Sequence, residues 1–278
     1  MSQILTVMSP SSPGKTSLTI NLGLCYANLF PDKRVLVVDF SFSKPDIALF
    51  LDLIDSGKDE YPRSLDDLYP LLTGFQTVLL DDFITKPFEE ITNFSIIPGF
   101  IKRTNSDERL SRDQWAYFFS VLDQYADVVI FDTDRNIKHL GFQYLMGETD
   151  YFLIATEADP ILTVNLKHMI NYLTFKGRGE HIRLLLLRSQ PEHPYGSEHI
   201  SQAINRSIDF VIPNILRRDY EKQVFNALPI GLSSKHHYTM AINKMVKSLC
   251  EDSVSVEQKR RTKWNIRIPL FSKKSQNI

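Results

Sequence analysis

The sequence predicts an α/β fold: a doubly wound, mostly parallel β-sheet flanked by helices. Apolar, β-branched runs of strand length recur without polar alternation, which is typical of strands buried on both faces of a parallel sheet. The runs are Ile4–Met8, Val35–Phe40, Phe94–Ile97, Val128–Phe131, Tyr151–Ala155, Ile182–Leu187 and Phe210–Ile212. Helical patterns lie between several of these runs, and an alternation of strands and helices favours a parallel sheet.

Other segments carry apolar residues at helical spacing, and we expect these stripes to pack in the core. The segments are Thr16–Leu29, Ser111–Tyr125, Thr163–Phe175 and Tyr220–Leu228. The pattern is weaker between Asp55 and Thr92, where short apolar segments occur around Leu65–Leu72 and Val78–Ile84. We expect that region to be an insertion or an interaction surface.

Composition narrows the class of protein. With 278 residues the chain can form one large α/β domain or two small ones. The formal net charge of −1 argues against a globally basic nucleic-acid binder. The two cysteines, Cys25 and Cys250, form no C-x-x-C pair, which excludes a disulfide scaffold and fits a reducing compartment. No apolar run approaches the roughly 18 residues of a membrane span, so we expect a cytoplasmic protein.

The composition changes near the C-terminus. Residues 259–278 contain seven basic residues and no acidic one, so the rest of the chain carries a formal charge of −8. We therefore predict a domain over residues 1–250 and a basic, aromatic-containing tail over residues 251–278.

The tail has the composition of a segment that binds an anionic membrane surface, because cations alternate with apolar side chains that can insert at the interface. The predicted membrane contacts are Lys263, Trp264, Ile266, Arg267, Ile268, Leu270, Phe271, Lys273 and Lys274. Pro269 would interrupt a helix, and the apolar spacing alternates as in a strand. A disordered tail, or a segment packed on its own sheet or on a partner, remains an alternative.

The stretch SPSSPGKT, at Ser9–Thr16, lies between a predicted strand and a predicted helix, which is the setting of a phosphate-binding loop. The N-terminus of the helix offers unpaired N–H groups and a partial positive charge to an anion. Lys15 would reach the outer phosphates, and the Thr16 hydroxyl would bind Mg²⁺. The predicted nucleotide contacts are Ser12, Pro13, Gly14, Lys15, Thr16 and Ser17.

Two aspartates lie at the ends of buried strands: Asp39 follows VLVV and Asp132 follows VVIF. The carboxyl ends of parallel strands border the crevice in which such sheets bind ligands. We therefore predict that Thr16, Asp39 and Asp132 form the Mg²⁺ site, the two aspartates through water. Asp39 and Asp132 are also the candidate catalytic residues if the protein hydrolyses nucleotide. For either aspartate alone, a strand-end cap is the alternative.

These motifs, in this order, resemble the MinD/ParA group of P-loop ATPases over roughly residues 1–250. The family motifs K-G-G-x-G-K-T, V-D-x-D and I-I-D-T-P-P-G correspond here to PSSPGKT, VVDFS and IFDTDRN. The stretches NFSIIPGF, DFVIPN and FNALPIG also fit the family pattern. The resemblance implies a P-loop NTPase fold, ATP or ADP with Mg²⁺ as cofactors, and a homodimer. Within the group, the opening and the weak middle segment are most similar to the pilus- and pole-associated CpaE/TadZ set.

Several residues differ from the family motifs at positions that the family uses for nucleotide hydrolysis. Pro10 stands in place of the signature lysine that reaches the phosphates of the dimer partner. Ser11 and Ser12 replace glycines that let the backbone wrap closely around phosphate, and Pro13 removes a backbone N–H donor. Ser41 replaces the second aspartate of V-D-x-D, and Asn136 replaces the glycine that senses the γ-phosphate. The resemblance therefore implies nucleotide binding with weak or absent hydrolysis.

We expect a nucleotide-dependent spatial organiser or scaffold for a membrane-associated or polar cell machine. Its partners would be a protein of that machine and the inner face of the cell membrane. One alternative is an active ATPase that cycles on membrane or DNA, and another is a nucleotide-free interaction module. The basic residues Arg217, Arg218 and Lys222 are expected on a solvated helix face, so nucleic-acid binding is not expected.

Overall fold

A seven-stranded parallel sheet forms the centre of the protein in a computed structural model. The structure describes residues 1–11, 14–42, 44–54, 61–101, 110–134, 139–189 and 195–263, without the side chains of 224, 225 and 252–263. The strands are β1 (Gln3–Met8), β2 (Val35–Phe40), β3 (Phe94–Ile97), β4 (Val128–Thr133), β5 (Tyr151–Thr156), β6 (Ile182–Ser189) and β7 (Phe210–Pro213). Their order is β3-β2-β4-β1-β5-β6-β7, which confirms the predicted fold class.

The helices lie on both faces of this sheet. They are α1 (Lys15–Leu29), α2 (Asp46–Phe50), α3 (Leu65–Thr73), α4 (Arg112–Tyr125), α5 (Leu140–Glu148), α6 (Pro160–Phe175), α7 (Ser197–Ile204), α8 (Arg217–Phe225) and α9 (His237–Lys263). One apolar core packs α3 to α7 against the sheet, and a second packs α1, α2 and α9 against the opposite face. Strands β1 to β5 are therefore buried on both faces, which explains their nearly unbroken apolar runs, whereas Val211 of β7 is 49% exposed.

Two predicted helices begin three residues earlier in the structure than in the sequence prediction. Helix α6 begins at Pro160 rather than Thr163, because the Asp159 carboxylate accepts a hydrogen bond from the Leu162 N–H and proline is well suited to the first helical position. Helix α8 begins at Arg217 rather than Tyr220. The predicted helix over Ser111–Tyr125 is confirmed, with Ser111 as its N-cap in a capping box.

The weak middle segment covers one edge of the sheet. Helix α3 begins at a capping box formed by Ser64 and Asp67, and residues Leu80–Asp82 form a short 3₁₀ turn. The backbone of Thr85 then exchanges two hydrogen bonds with Ile96 of the edge strand β3. This antiparallel bridge satisfies edge groups that would otherwise be open to another chain.

Helix α9 crosses the predicted boundary at residue 250 without a break and continues to Lys263. The division of the chain into residues 1–250 and a tail therefore stays a prediction from composition. Apart from Lys263, the predicted membrane contacts lie outside the described residues. Within the described ranges, none of the helices is long and apolar enough to span a bilayer.

Candidate nucleotide site

The predicted phosphate loop lies at the carboxyl end of the central strand β1 and leads into α1. Gly14 is the N-cap of this helix, with φ 80° and ψ −2°. Glycine adopts this left-handed conformation without the steric cost that other residues incur. The first turn of α1 contains no acidic residue of its own, so the helix sequence places no negative charge at the positive end of the helix dipole. The predicted contacts Ser12 and Pro13 lie outside the described residues.

Lys15 points inward from α1 and forms an ion pair with Asp132 of β4. The exposed fraction is 6% for the lysine side chain and 0% for the aspartate. Asp132 also accepts hydrogen bonds from the hydroxyls of Thr16, at 2.7 Å, and Thr19, at 3.1 Å. A phosphate that binds Lys15 must therefore compete with Asp132 for the ammonium group.

Asp39 lies beside Asp132, because the two residues are paired in register on the neighbouring strands β2 and β4. The Asp39 carboxylate is fully buried and accepts hydrogen bonds from the N–H groups of Ile47, at 3.0 Å, and Ser41, at 3.3 Å. Burial, and secondarily the Asp132 charge, raise the pKa of Asp39 well above its usual range. A cation bound between the two carboxylates would relieve both effects.

Gly99 provides the space for the Asp39 carboxylate. A Cβ atom at this position would lie only 2.8 Å from the Asp39 carboxyl carbon. Gly99 follows β3, the strand next to β2. The Asp39 carboxylate therefore contacts the segment after β3 as well as the Ile47 backbone of α2. The glycine of the stretch NFSIIPGF therefore has a packing role at the predicted metal site.

A cavity of about 940 Å³ opens in front of the loop, a volume in the usual range for small-molecule and cofactor sites. It extends from the loop to the ends of β5, β6 and β7. Its lining residues are Gly14, Thr16, Ser17, Lys44, Asp46, Phe50, Glu157, Ala158, Leu187, Arg188, Ile212, Pro213, Asn214, Ile215, Arg217, Tyr220, Gln223 and Tyr238. Three of the predicted nucleotide contacts, Gly14, Thr16 and Ser17, therefore line the cavity. Lys15 does not line it, because its side chain is buried against Asp132.

Sequence reasoning missed a polar network behind the cavity wall. Asn21 of α1 is fully buried; its amide donates to the Ser17 carbonyl, at 2.7 Å, and to the Gln223 side chain, at 2.8 Å. Its carbonyl oxygen accepts the Gly231 N–H. This network joins the loop helix to α8. The available signal in the sequence was Asn21 itself, a polar residue among the apolar residues of α1, which indicates a buried hydrogen-bonding partner.

Sequence reasoning also missed Glu157 and Arg188, which line the cavity at the ends of β5 and β6. The Arg188 guanidinium nitrogen Nη1 lies 3.3 Å from Glu157 Oε1. Charged residues at the carboxyl ends of two buried strands were the available signal, of the same kind that identified Asp39 and Asp132.

Solved structures with the same architecture are known. The ParA family ATPase of Chlorobium tepidum aligns with a TM-score of 0.74 and 17% identity, over 88% of this chain and 97% of that chain. MinD in the MinC:MinD cell division complex of Aquifex aeolicus aligns with a TM-score of 0.71 and 19% identity, over 90% of this chain and 96% of that chain. The septum site-determining protein MinD of Pyrococcus horikoshii, complexed with Mg-ADP, aligns with a TM-score of 0.68 and 18% identity, over 90% of this chain and 96% of that chain.

The chain has the MinD/ParA fold. No protein-family model and no curated protein matches the sequence, so this assignment rests on the three-dimensional comparison and on the motifs. The MinD/ParA fold accounts for the strand order. It also explains why the loop, Asp39 and Asp132 meet at the carboxyl ends of the central strands.

Proposed function

We propose that this protein is a MinD/ParA-like spatial organiser that binds Mg-ATP or Mg-ADP and hydrolyses ATP weakly or not at all. One observation carries the proposal: Gly14, Lys15 and Thr16 begin a helix beside the paired aspartates Asp39 and Asp132, and Gly14 and Thr16 line a cavity of about 940 Å³. The fold shared with a MinD protein complexed with Mg-ADP supports it.

The residues at the site fit a magnesium nucleotide. Mg²⁺ prefers oxygen ligands, and a hydroxyl and two carboxylates converge here. Thr16 would bind the ion directly, with Asp39 and Asp132 acting through water. When bound, Mg²⁺ would neutralise phosphate charge. The N–H groups around Gly14–Ser17 and the Lys15 ammonium would hold the phosphates, and Lys15 would leave Asp132 to do so.

Weak hydrolysis follows from the residues that accompany this site. Pro10 has no charge and no N–H, so it cannot supply a cation to the phosphates of a second copy. Ser41 is buried and carries a hydroxyl where a carboxylate would be needed to orient an attacking water. Asn136, a further departure, lies outside the described residues. Nucleotide would then act as a ligand that stabilises one conformation or a dimer.

Replacement of Lys15 by alanine is expected to weaken binding of a fluorescent ATP analogue with Mg²⁺ at least about tenfold, because a charge-assisted phosphate contact is lost. Fluorescence anisotropy at equilibrium measures the affinity. The matched control is Lys44→Ala, which removes a lysine from the same cavity; the Lys44 ammonium contacts Asp46, at 2.8 Å, and its side chain is 62% exposed. We expect this control to bind nearly as well as the wild type.

The same titration distinguishes the alternatives. Absence of saturable binding to the wild-type chain would overturn the proposal and favour a nucleotide-free interaction module. Rapid phosphate release by the wild-type chain, lost in Lys15→Ala, would favour an active ATPase. Circular dichroism of each variant shows whether the fold is retained.

We further propose that the tail attaches the protein to an anionic membrane, where a protein partner of the positioned machine would be recruited. The MinC partner in the Aquifex complex supports a partner-binding role for this fold. A chain ending at Asp252 is expected to lose most of its sedimentation with anionic liposomes, because each cation contributes about 1 kcal/mol at such a surface. The charge-reversed full-length variant Lys273→Glu/Lys274→Glu should bind less, and neutral liposomes serve as the control. Equal sedimentation of the truncated and full-length chains would contradict the membrane role.

A further inference from the structure

The weak middle segment presents apolar side chains to solvent, away from the candidate nucleotide site. Phe75 is 55% exposed and Leu79 is 67% exposed. Both lie in the connection between α3 and the 3₁₀ turn at Leu80–Asp82. Two exposed carboxylates, those of Asp81 and Asp82, follow directly. We call Phe75, Leu79, Asp81 and Asp82 together the Phe75 surface.

The backbone holds Phe75 in an unfavourable conformation. Its φ is +48°, in the left-handed region that residues other than glycine adopt at a cost. The Phe75 N–H donates to the Leu72 carbonyl, at 3.2 Å, and the Gln76 N–H donates to that of Leu71, at 2.9 Å. These are the hydrogen bonds of a Schellman motif, in which glycine usually occupies the left-handed position. Gly74 lies one residue before that position, so the helix ends with a strained residue that displays an aromatic ring.

Helix α4 holds this surface in place. The Tyr117 hydroxyl donates to the Gln76 carbonyl, at 2.8 Å, and the Gln114 amide donates to the Thr73 carbonyl, at 2.8 Å. The ring of Tyr117 also lies beside that of Phe75, with centroids 6.2 Å apart. A preorganised surface loses little conformational freedom when a partner binds. The Phe75 surface is therefore suited to docking.

The charge of the middle segment indicates the composition of the partner. Residues 61–92 contain six carboxylates and two cations, and their net charge of −4 is half of the −8 that the chain carries outside residues 259–278. Arg63 Nη1 lies 4.0 Å from Asp82 Oδ2, but both side chains are more than half exposed. An exposed pair of this kind is weak, so Asp82 can exchange Arg63 for a cation of another segment. The partner that fits is apolar and basic.

The chain itself contains a segment of this composition. Residues 259–278 have seven basic residues, no acidic one and the apolar residues Trp264, Ile266, Ile268, Leu270 and Phe271. Helix α9 ends at Lys263, and the 15 residues after it can extend over up to about 50 Å. Because the segment belongs to the same chain, its effective concentration is high, which favours even a weak contact.

We propose that residues 259–278 dock on the Phe75 surface, of the same chain or of a second copy. Their apolar side chains pack against Phe75 and Leu79, and their cations lie beside Asp81 and Asp82. A docked segment is not available to a membrane, so the contact restrains membrane attachment until an anionic surface competes for the segment. The contact is independent of the proposed function, and only the restraint rests on the proposed membrane role.

Carbodiimide crosslinking of the full-length protein tests the contact, because the reagent joins a lysine amine to a carboxylate beside it. Mass spectrometry is expected to show amide links between a lysine of residues 259–278 and Asp81 or Asp82. Phe75→Gly should lower their yield at least about fivefold, because the apolar contact of the ring is lost. The variant keeps both carboxylates, and glycine adopts the left-handed backbone without strain, so the fold is retained.

Phe175→Ser is the matched control, because Phe175 is 86% exposed at the end of α6. Helix α6 follows β5, which is four strands away from the edge strand β3 that the middle segment covers. This variant should crosslink as the wild type does. Unchanged crosslinking in Phe75→Gly, or an equal loss in both variants, would overturn the inference.

Sedimentation with anionic liposomes tests the restraint. Phe75→Gly is expected to bind about threefold more than the wild type, although it lacks an exposed apolar residue, because a larger fraction of the molecules has a free segment. A decrease would overturn the inference, since the Phe75 surface would then itself contact the membrane. If the crosslinks form but removal of residues 253–278 leaves sedimentation unchanged, the proposed membrane role fails while the docking contact stands.

Discussion

Replacement of Asp132 by alanine is expected to lower the free energy of unfolding by about 3 kcal/mol or more. The change leaves the Lys15 ammonium buried without its carboxylate, and loss of one partner from a buried ion pair typically costs about 3–5 kcal/mol. The Thr16 hydroxyl loses its acceptor at the same time, while the Thr19 hydroxyl keeps the Lys15 carbonyl oxygen, at 3.0 Å. Urea denaturation followed by circular dichroism measures the change.

A double variant isolates the cause of this loss. In Lys15→Met/Asp132→Leu both charges are replaced by apolar groups, which is often neutral or stabilising for a buried pair. We expect this variant to recover most of the stability that Asp132→Ala loses. The exposed pair of Arg217 and Glu221 provides a second control, because Glu221→Ala should leave stability almost unchanged. A loss in Asp132→Ala as small as in Glu221→Ala would contradict the importance of the buried pair.

Replacement of Gly141 by alanine is expected to destabilise the protein by about 2 kcal/mol, although alanine favours helices more than glycine does. A Cβ at this position of α5 would lie 2.7 Å from the Trp115 ring and 3.1 Å from the Phe40 ring. Trp115 cannot readily move aside, because it is 2% exposed and packs against the rings of Phe118 and Phe119.

Helix α5 contains its own control for this effect. A Cβ at Gly147 would have no atom within 4 Å, so Gly147→Ala should raise the free energy of unfolding by up to about 1 kcal/mol through helix propensity alone. In a Trp115→Phe background, where the clashing ring is smaller, the cost of Gly141→Ala should decrease. Thermal and urea denaturation of the four variants complete the cycle. Equal effects at positions 141 and 147 would exclude steric contact as the cause.

The Gly141 contact also has a consequence for the site. His139, the N-cap of α5, stacks on Phe42 with ring centroids 3.6 Å apart. The Phe42 N–H donates to Asp134, at 3.2 Å. The packing of α5 on Trp115 thus helps to hold together the segments that follow β2 and β4. Those strands carry Asp39 and Asp132, so a displaced α5 is expected to disturb the candidate metal site.

Much of the fold was predictable because its signals are local. Residues 35–38 of β2, for example, are all apolar, since alternate side chains face the two cores. The helix that begins at Lys15 and the cap at Ser111 were likewise visible in short stretches. The start of α6 was misplaced because its determinants, Asp159 and Pro160, precede the apolar pattern.

The sequence by itself determined the class of fold, the phosphate loop and the candidate metal ligands, because each depends on neighbours along the chain. Only the tertiary structure decided that Asp39 lies beside Asp132, that Lys15 is bound to Asp132 and that Glu157 meets Arg188. These contacts join residues from different strands and helices. They follow from the strand order and register, which are set by the packing of the whole core and not by any local pattern.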